Sequence, residues 1–315
     1  MKKIYFHIGL GKTGTSYLQS AFAINTEKYK KEGFLYPDLD DNFKEACNGQ
    51  TTSGNGLRIA AGAIPELSSH LEPYDLMDLC RSFDGNFNYL ISSEWLSGAG
   101  GDFLNKINKI FSEKFDCRFI LVVRNPADHI ASIYLQGLKM GVYKFGIEYY
   151  LDELIAQEIG YLSLADELRE NLILINYDVH KKNLIGELDK LIFGRILSDL
   201  PCFKYVNQSP DCHQAEILRM VSFLNLSDFH ESMVYVQLTN NYENSKGNYL
   251  LDSNALKKIN SELSHSLDIV NQFLPKNELL EFNDFSLNYK QFKSLFSAGD
   301  LNFISKLINI KFDNN

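Results

Sequence analysis

The sequence predicts an α/β fold, a mostly parallel sheet flanked by helices on both faces, with helical additions at the C-terminus. Three observations carry that expectation. Short apolar runs at residues 4–8, 88–92, 119–123 and 172–175 alternate with stretches of helical period, the pattern of a parallel sheet covered on both sides. Residues 4–22 switch period within a glycine-rich turn, from Ile4, Tyr5, Phe6 and Ile8 to the helical face Tyr17, Leu18, Ala21 and Phe22. The run 119–123 leads straight into Arg124-Asn125-Pro126, where Asn125 suits a helix N-cap and Pro126 a first helical position.

The elements follow in order. After the first helix, residues 33–37 read as a short strand stopped by Pro37, and residues 49–62, rich in Gly, Thr, Ser and Asn, as a surface loop. A helix is expected over 73–83, then the strand 88–92 ending in Ser93-Glu94-Trp95. A helix over 103–115 carries Leu104, Ile107, Ile110 and Phe111 on one face. The strand 172–175 ends at Asn176-Tyr177-Asp178. From about residue 204 onward only helices are expected, at 215–226, 256–273 and 289–310. The 315 residues are read as one domain, with a core over about 1–205 and a helical segment over about 206–315.

Composition narrows the function. A net charge of −9 argues against broad nucleic-acid binding, which needs a basic surface to neutralise phosphates. No apolar run reaches the length of a membrane span. The five cysteines are scattered without metal or redox spacing, as expected of reduced thiols in a cytoplasmic protein.

The turn after the first strand is an anion site by its chemistry. Gly9, Gly11 and Gly14 expose backbone N–H groups, the following helix start favours negative charge, Lys12 adds a cation, and Thr13, Thr15 and Ser16 add hydroxyls. The phosphate loop of nucleoside triphosphatases, G-x-x-x-x-G-K followed by Ser or Thr, would need a glycine where Phe6 stands. In a parallel sheet, the endings at Gly9–Thr15, Ser92–Trp95, Arg124–Asn125 and Asn176–Asp178 all share the carboxyl rim, where ligands bind.

Residues 7–19 resemble the 5′-phosphosulfate loop of sulfotransferases that use 3′-phosphoadenosine-5′-phosphosulfate (PAPS), with Gly11 in place of the usual proline. Arg124 and Ser132, eight residues apart after a strand, resemble that family's 3′-phosphate motif, and Tyr177 sits where a tyrosine near the adenine is common. The resemblance spans about residues 3–210 in separate motifs. It implies a three-layer P-loop-like fold and PAPS as donor. Gly11, Lys12, Thr13, Gly14, Thr15, Ser16, Arg124, Ser132 and Tyr177 would bind that donor. It also implies a hydroxylated, carbohydrate-type acceptor. No metal is expected, since no H-x-x-x-H or clustered carboxylate spacing occurs. Lys12 is then expected to stabilise the leaving group and Glu94 to act as base, with His7 and His129 as rivals for the base. Two other readings remain: a P-loop kinase using ATP and magnesium, and a non-catalytic nucleotide-binding protein of the same fold. Against the kinase, the strand before Arg124 ends in a cation where a nucleotide hydrolase places a magnesium-binding Asp.

Overall fold

Among the described residues, five parallel strands form the sheet of the computed structural model: β1 (Lys3–His7), β2 (Phe34–Leu35), β3 (Asn88–Ser92), β4 (Asp116–Val123) and β5 (Leu172–Asn176), in the order β2-β3-β1-β4-β5. The structure describes residues 1–200, 219 and 251–282. The helices expected at 215–226 and 289–310 lie outside that range apart from the helical Arg219, whereas the one expected at 256–273 is Ser253–Asn271.

Alternation along β1 divides the core into two layers. Tyr5 joins Leu18, Phe22, Tyr29, Leu184 and Leu188 on one face of the sheet. Phe6 meets Phe119 and the edge of Phe111 on the other. The first layer is supplied by α1 (Thr15–Ile24) and the helix Leu184–Phe193. The second comes from the helices Leu76–Ser82 and Gly101–Phe111. Each fully buried aromatic contributes about 1.5–3 kcal/mol of transfer free energy, so this double lining holds the sheet between two helical layers. The fold is therefore α/β in the three-layer, P-loop-like arrangement.

Contacts group the chain into two compact units. The described residues 1–125, 157–200 and 263–281 make one, which contains the whole sheet; 126–156, 219, 251–262 and 282 belong to the other. The second unit holds the helix Pro126–Lys139 and an aromatic cluster in which Tyr134 stacks on Tyr143 and Tyr143 meets Tyr150 at a tilt of 40°. A 22-residue helix, Ile147–Leu168, has residues in both.

Residues 49–62 are not the solvated connector that their composition suggests. Gly54, Asn55, Gly56, Ile59 and Ala60 are buried, and residues Leu57–Ala60 form a helical turn. Asn55 explains it: its side chain donates to the carbonyls of Pro37 and Leu90 and accepts from the Ser92 N–H, replacing strand bonds at the end of β3. Asp40 accepts from the N–H groups of Leu57 and Arg58, satisfying the start of the turn. Gly54 has a φ of 76°, and a Cβ there would lie 2.0 Å from the Ser92 carbonyl oxygen. Gly54→Ala is expected to lower stability by about 2 kcal/mol or more, since both backbone strain and overlap must be relieved. A urea unfolding midpoint equal to wild type would show that this segment is not clamped to β3.

Candidate active site

Register sets the site. His7 pairs with Ser92 on one side and with Ile120 on the other, so β4 runs three residues further than β1 before ending at Val123. Val123 in turn pairs with Asn176. From the ends of β1 and β4 the chain departs to opposite edges of the sheet, the arrangement that opens a crevice at the carboxyl rim. The glycine loop leaves β1 at the centre of that rim, with Glu94 following β3 to one side and Arg124 and Tyr177 following β4 and β5 to the other.

The loop turns through two left-handed residues, Lys12 (φ 65°) and Gly14 (φ 85°). At Lys12 this conformation is strained, which a non-glycine residue adopts only when the surroundings enforce it. The enforcement is visible. Thr13 and Thr15 both donate their hydroxyls to the Leu10 carbonyl, at 2.7 and 2.9 Å. Their side chains are buried, so in this structure they brace the loop from within. What the loop offers an anion is its backbone N–H groups, the start of the ten-residue helix α1, and Lys12. Ser16, in the first turn of α1, is half-buried.

Glu94 precedes the short helix Trp95–Gly98 without capping it through its side chain. Its carboxylate instead faces the loop, with Oε2 4.0 Å from the point where a Gly11 Cβ would stand. Burial raises its pKa above the ordinary carboxylate range, and the Lys12 ammonium pulls it back down. Trp95, next along the chain, is 40% exposed. Tyr161, which the sequence reading passed over, feels the Glu94 charge; burial raises its pKa, and its hydroxyl accepts from Gln157 at 2.6 Å. Its position midway along the Ile147–Leu168 helix gives no local sequence signal of a site.

Arg124 reaches back across the crevice. One guanidinium nitrogen lies 3.5 Å from the Lys12 carbonyl oxygen, and the guanidinium sits 5.4 Å from the centre of the Tyr177 ring. Tyr177 packs against the loop as well, its ring 3.3 Å from where a Gly14 Cβ would be. Asp178, given no role from the sequence, ties the two strand ends together: it accepts the Asn125 N–H at 2.8 Å and stands 3.8 Å from Arg124. Asn176 caps the short helix Tyr177–His180 and donates to the Glu278 carbonyl at 2.8 Å, and Asn125 donates to the Glu281 carbonyl. Ser132 lies two turns into the helix Pro126–Lys139, in the second unit, as does the fully buried His129.

His7 is fully buried at the end of β1, with Nδ1 2.8 Å from Ser92 Oγ; burial lowers its pKa to about 4, so the ring is neutral at physiological pH. It is held under the loop and is not presented to a substrate. Among the described residues, no three His, Cys, Asp or Glu side chains come together as metal ligands, and no helix is long and apolar enough to cross a membrane.

No protein-family model matches the chain, and no curated protein does. Among solved structures, a sulfotransferase from Alicyclobacillus acidocaldarius overlaps it with a TM-score of 0.40 at 10% identity, covering 86% of this chain and 95% of that one. Mouse sulfotransferase SULT7A1, solved in complex with PAP, overlaps with a TM-score of 0.34 at 13% identity, covering 100% and 86%. Overlaps this loose leave the function to be read from the chain's own residues.

The pairing of Glu94 with Lys12 is directly measurable. Lys12→Met removes the cation that lowers the Glu94 pKa and leaves the desolvation that raises it. The Glu94 carboxyl, followed by carbon-detected NMR, should then titrate at higher pH than in wild type. An unchanged or lower midpoint would mean that Lys12 does not face Glu94.

Proposed function

We propose that this chain is a PAPS-dependent sulfotransferase acting in the cytoplasm, moving a sulfuryl group to a hydroxyl of a carbohydrate-type acceptor. The observation that carries the reading is the Glu94 carboxylate at the head of the glycine loop, with Oε2 4.0 Å from where a Gly11 Cβ would stand and within the field of the Lys12 ammonium. It brings a carboxylate of raised pKa and a cation to the place where an anion would lie on the loop. In-line sulfuryl transfer asks for those two charges. The acceptor oxygen attacks sulfur, the bond from sulfur to the bridging 5′-phosphate oxygen breaks, and 3′-phosphoadenosine-5′-phosphate departs. Glu94 accepts the proton of the acceptor hydroxyl, and its raised pKa brings it closer to neutral operation. Lys12 meets the charge that grows on the bridging oxygen, with the loop N–H groups of residues 11–16 on the remaining oxygens.

Arg124 suits the 3′-phosphate because its fork can hold two oxygens at once, and Asp178 keeps it oriented at the rim. Tyr177 offers an aromatic face beside Arg124 and Gly14 for the adenine side of the donor. Ser132 enters on its spacing from Arg124 in the sequence. The acceptor class follows from the family resemblance, and Cys47, Cys80 and Cys117, which form no disulfide, suit a cytoplasmic setting.

The test is sulfuryl transfer from labelled PAPS to a panel of hydroxylated sugars, with and without EDTA. Lys12→Ala should lose about 2–4 kcal/mol of transition-state stabilisation, mostly in kcat, because the lysine meets more charge in the transition state than in the bound donor. Glu94→Gln should keep donor affinity, lower kcat by roughly a hundredfold and abolish the acidic limb of the rate–pH profile. A strict magnesium requirement with ATP as the active donor, or an unchanged kcat in Lys12→Ala, would favour the kinase instead.

A further inference from the structure

Behind the glycine loop lies a buried polar cluster that the chemistry above does not use. Along β1, Tyr5 and His7 face α1, and the stripe Thr15, Leu18, Gln19 and Phe22 of α1 faces the sheet. His7 meets both ends of this stripe. Its ring stands edge-on to Phe22 at 6.1 Å. Its Nε2 and the Thr15 hydroxyl oxygen crowd the point where a Gly9 Cβ would be, at 2.9 and 2.6 Å. Gln19 lies between these two residues on the stripe and is 1% exposed. Its Nε2 is 2.6 Å from where a Gly54 Cβ would stand, and the Ser92 carbonyl oxygen is 2.0 Å from the same point. His7 Nδ1 is already on Ser92 Oγ. Both side chains therefore flank Ser92, one from β1 and one from α1.

Three polar atoms of this cluster, His7 Nε2 and both amide atoms of Gln19, are buried without a hydrogen-bond partner in the protein. Folded proteins leave few such groups unsatisfied, and a buried water making about three hydrogen bonds commonly serves them. A neutral imidazole nitrogen and a carboxamide supply the mixture of donor and acceptor that a water needs. We propose that His7 and Gln19 share one ordered water beneath the glycine loop, and that this bridge is a positioning device that sets the height of the loop over the end of β1. It rests on the loop being the anion site of the donor. Gly9 fits this role, since a side chain there would enter the space held by His7 and Thr15. Gly54 fits as well, closing the cluster against the end of β3.

The experiment is a double-mutant cycle with His7→Asn, which keeps a polar atom for Ser92 and loses the inner nitrogen, and Gln19→Met, which keeps the volume and loses the amide. Each single change should lower the urea midpoint, and the double variant should be no worse than the poorer single one, because both remove the same bridge. Each should also weaken binding of inorganic pyrophosphate, used as a probe of the loop, by about three- to tenfold. In the sulfuryl-transfer assay the donor KM should rise while kcat holds. His7→Gln, which keeps a polar atom near the inner nitrogen, should restore most of the pyrophosphate affinity. A more stable Gln19→Met protein would mean a dry cluster with no bridge and would overturn the proposal. So would additive losses, unaltered pyrophosphate affinity, or no pyrophosphate binding by wild type. If wild type transfers no sulfuryl group, the proposed activity fails while the cycle and the pyrophosphate titration still decide the bridge.

Discussion

One backbone carbonyl, that of Leu10, holds the centre of the molecule in shape. Two threonine hydroxyls converge on it from the far side of the turn, and the turn they close forces Lys12 into a left-handed conformation. Without that double brace the strained lysine would relax, at a gain of about 1–2 kcal/mol. The loop N–H groups would then lose their common direction. The glycines at 9, 11 and 14 answer the same constraint from different sides: His7 and Thr15 fill the space at Gly9, Glu94 stands beside Gly11, and Tyr177 and Leu184 press on Gly14. A loop so enclosed is pre-organised before any ligand arrives, which is how an anion site avoids the cost of ordering itself on binding.

The rim around the loop is fixed by polar side chains acting on backbone. Asn55 completes the end of β3, Asn176 completes the end of β5, and Asp178 joins the end of β4 to the end of β5. The segment around 278–281 is fastened to the same strand ends through Asn125 and Asn176, and His180 bonds the Glu278 carboxylate at 2.8 Å. Strand ends leave donors and acceptors open wherever pairing stops, and buried ones must be satisfied. Here the residues that satisfy them also stand beside the candidate catalytic groups.

The core of the fold is legible in the sequence because buried parallel strands are continuous apolar runs: 88–92 and 119–123 could hardly be anything else. The loop at 9–16 is equally legible, since three glycines around a lysine between a strand and a helix admit few structures. What is not legible follows from long-range pairing. Residues 49–62 read as solvent-exposed by composition, yet Asn55 buries them by bonding to β3, 37 residues further along the chain. The helix Ile147–Leu168 escaped the sequence reading although Leu151, Leu154, Ile155 and Leu162 are buried along it, and with it went Tyr161. The bonds of the Thr13 and Thr15 hydroxyls to the Leu10 carbonyl are likewise invisible in one dimension. Asp178 adjoins a recognised position, but its bond to the Asn125 N–H is invisible without the register of β4 against β5.

The nucleotide that this rim accepts decides between a sulfotransferase and a kinase. Isothermal calorimetry with 3′-phosphoadenosine-5′-phosphate, adenosine 5′-phosphate and ATP, each with and without magnesium, measures that choice directly. A crevice with Arg124 at the end of β4 and Lys12 in the loop should bind 3′-phosphoadenosine-5′-phosphate at least about tenfold more tightly than adenosine 5′-phosphate, since a charge-assisted contact of Arg with the 3′-phosphate is worth about 1.5–3 kcal/mol. That preference should be indifferent to magnesium. Equal affinity for the two, or tight binding of ATP that depends on magnesium, would contradict it.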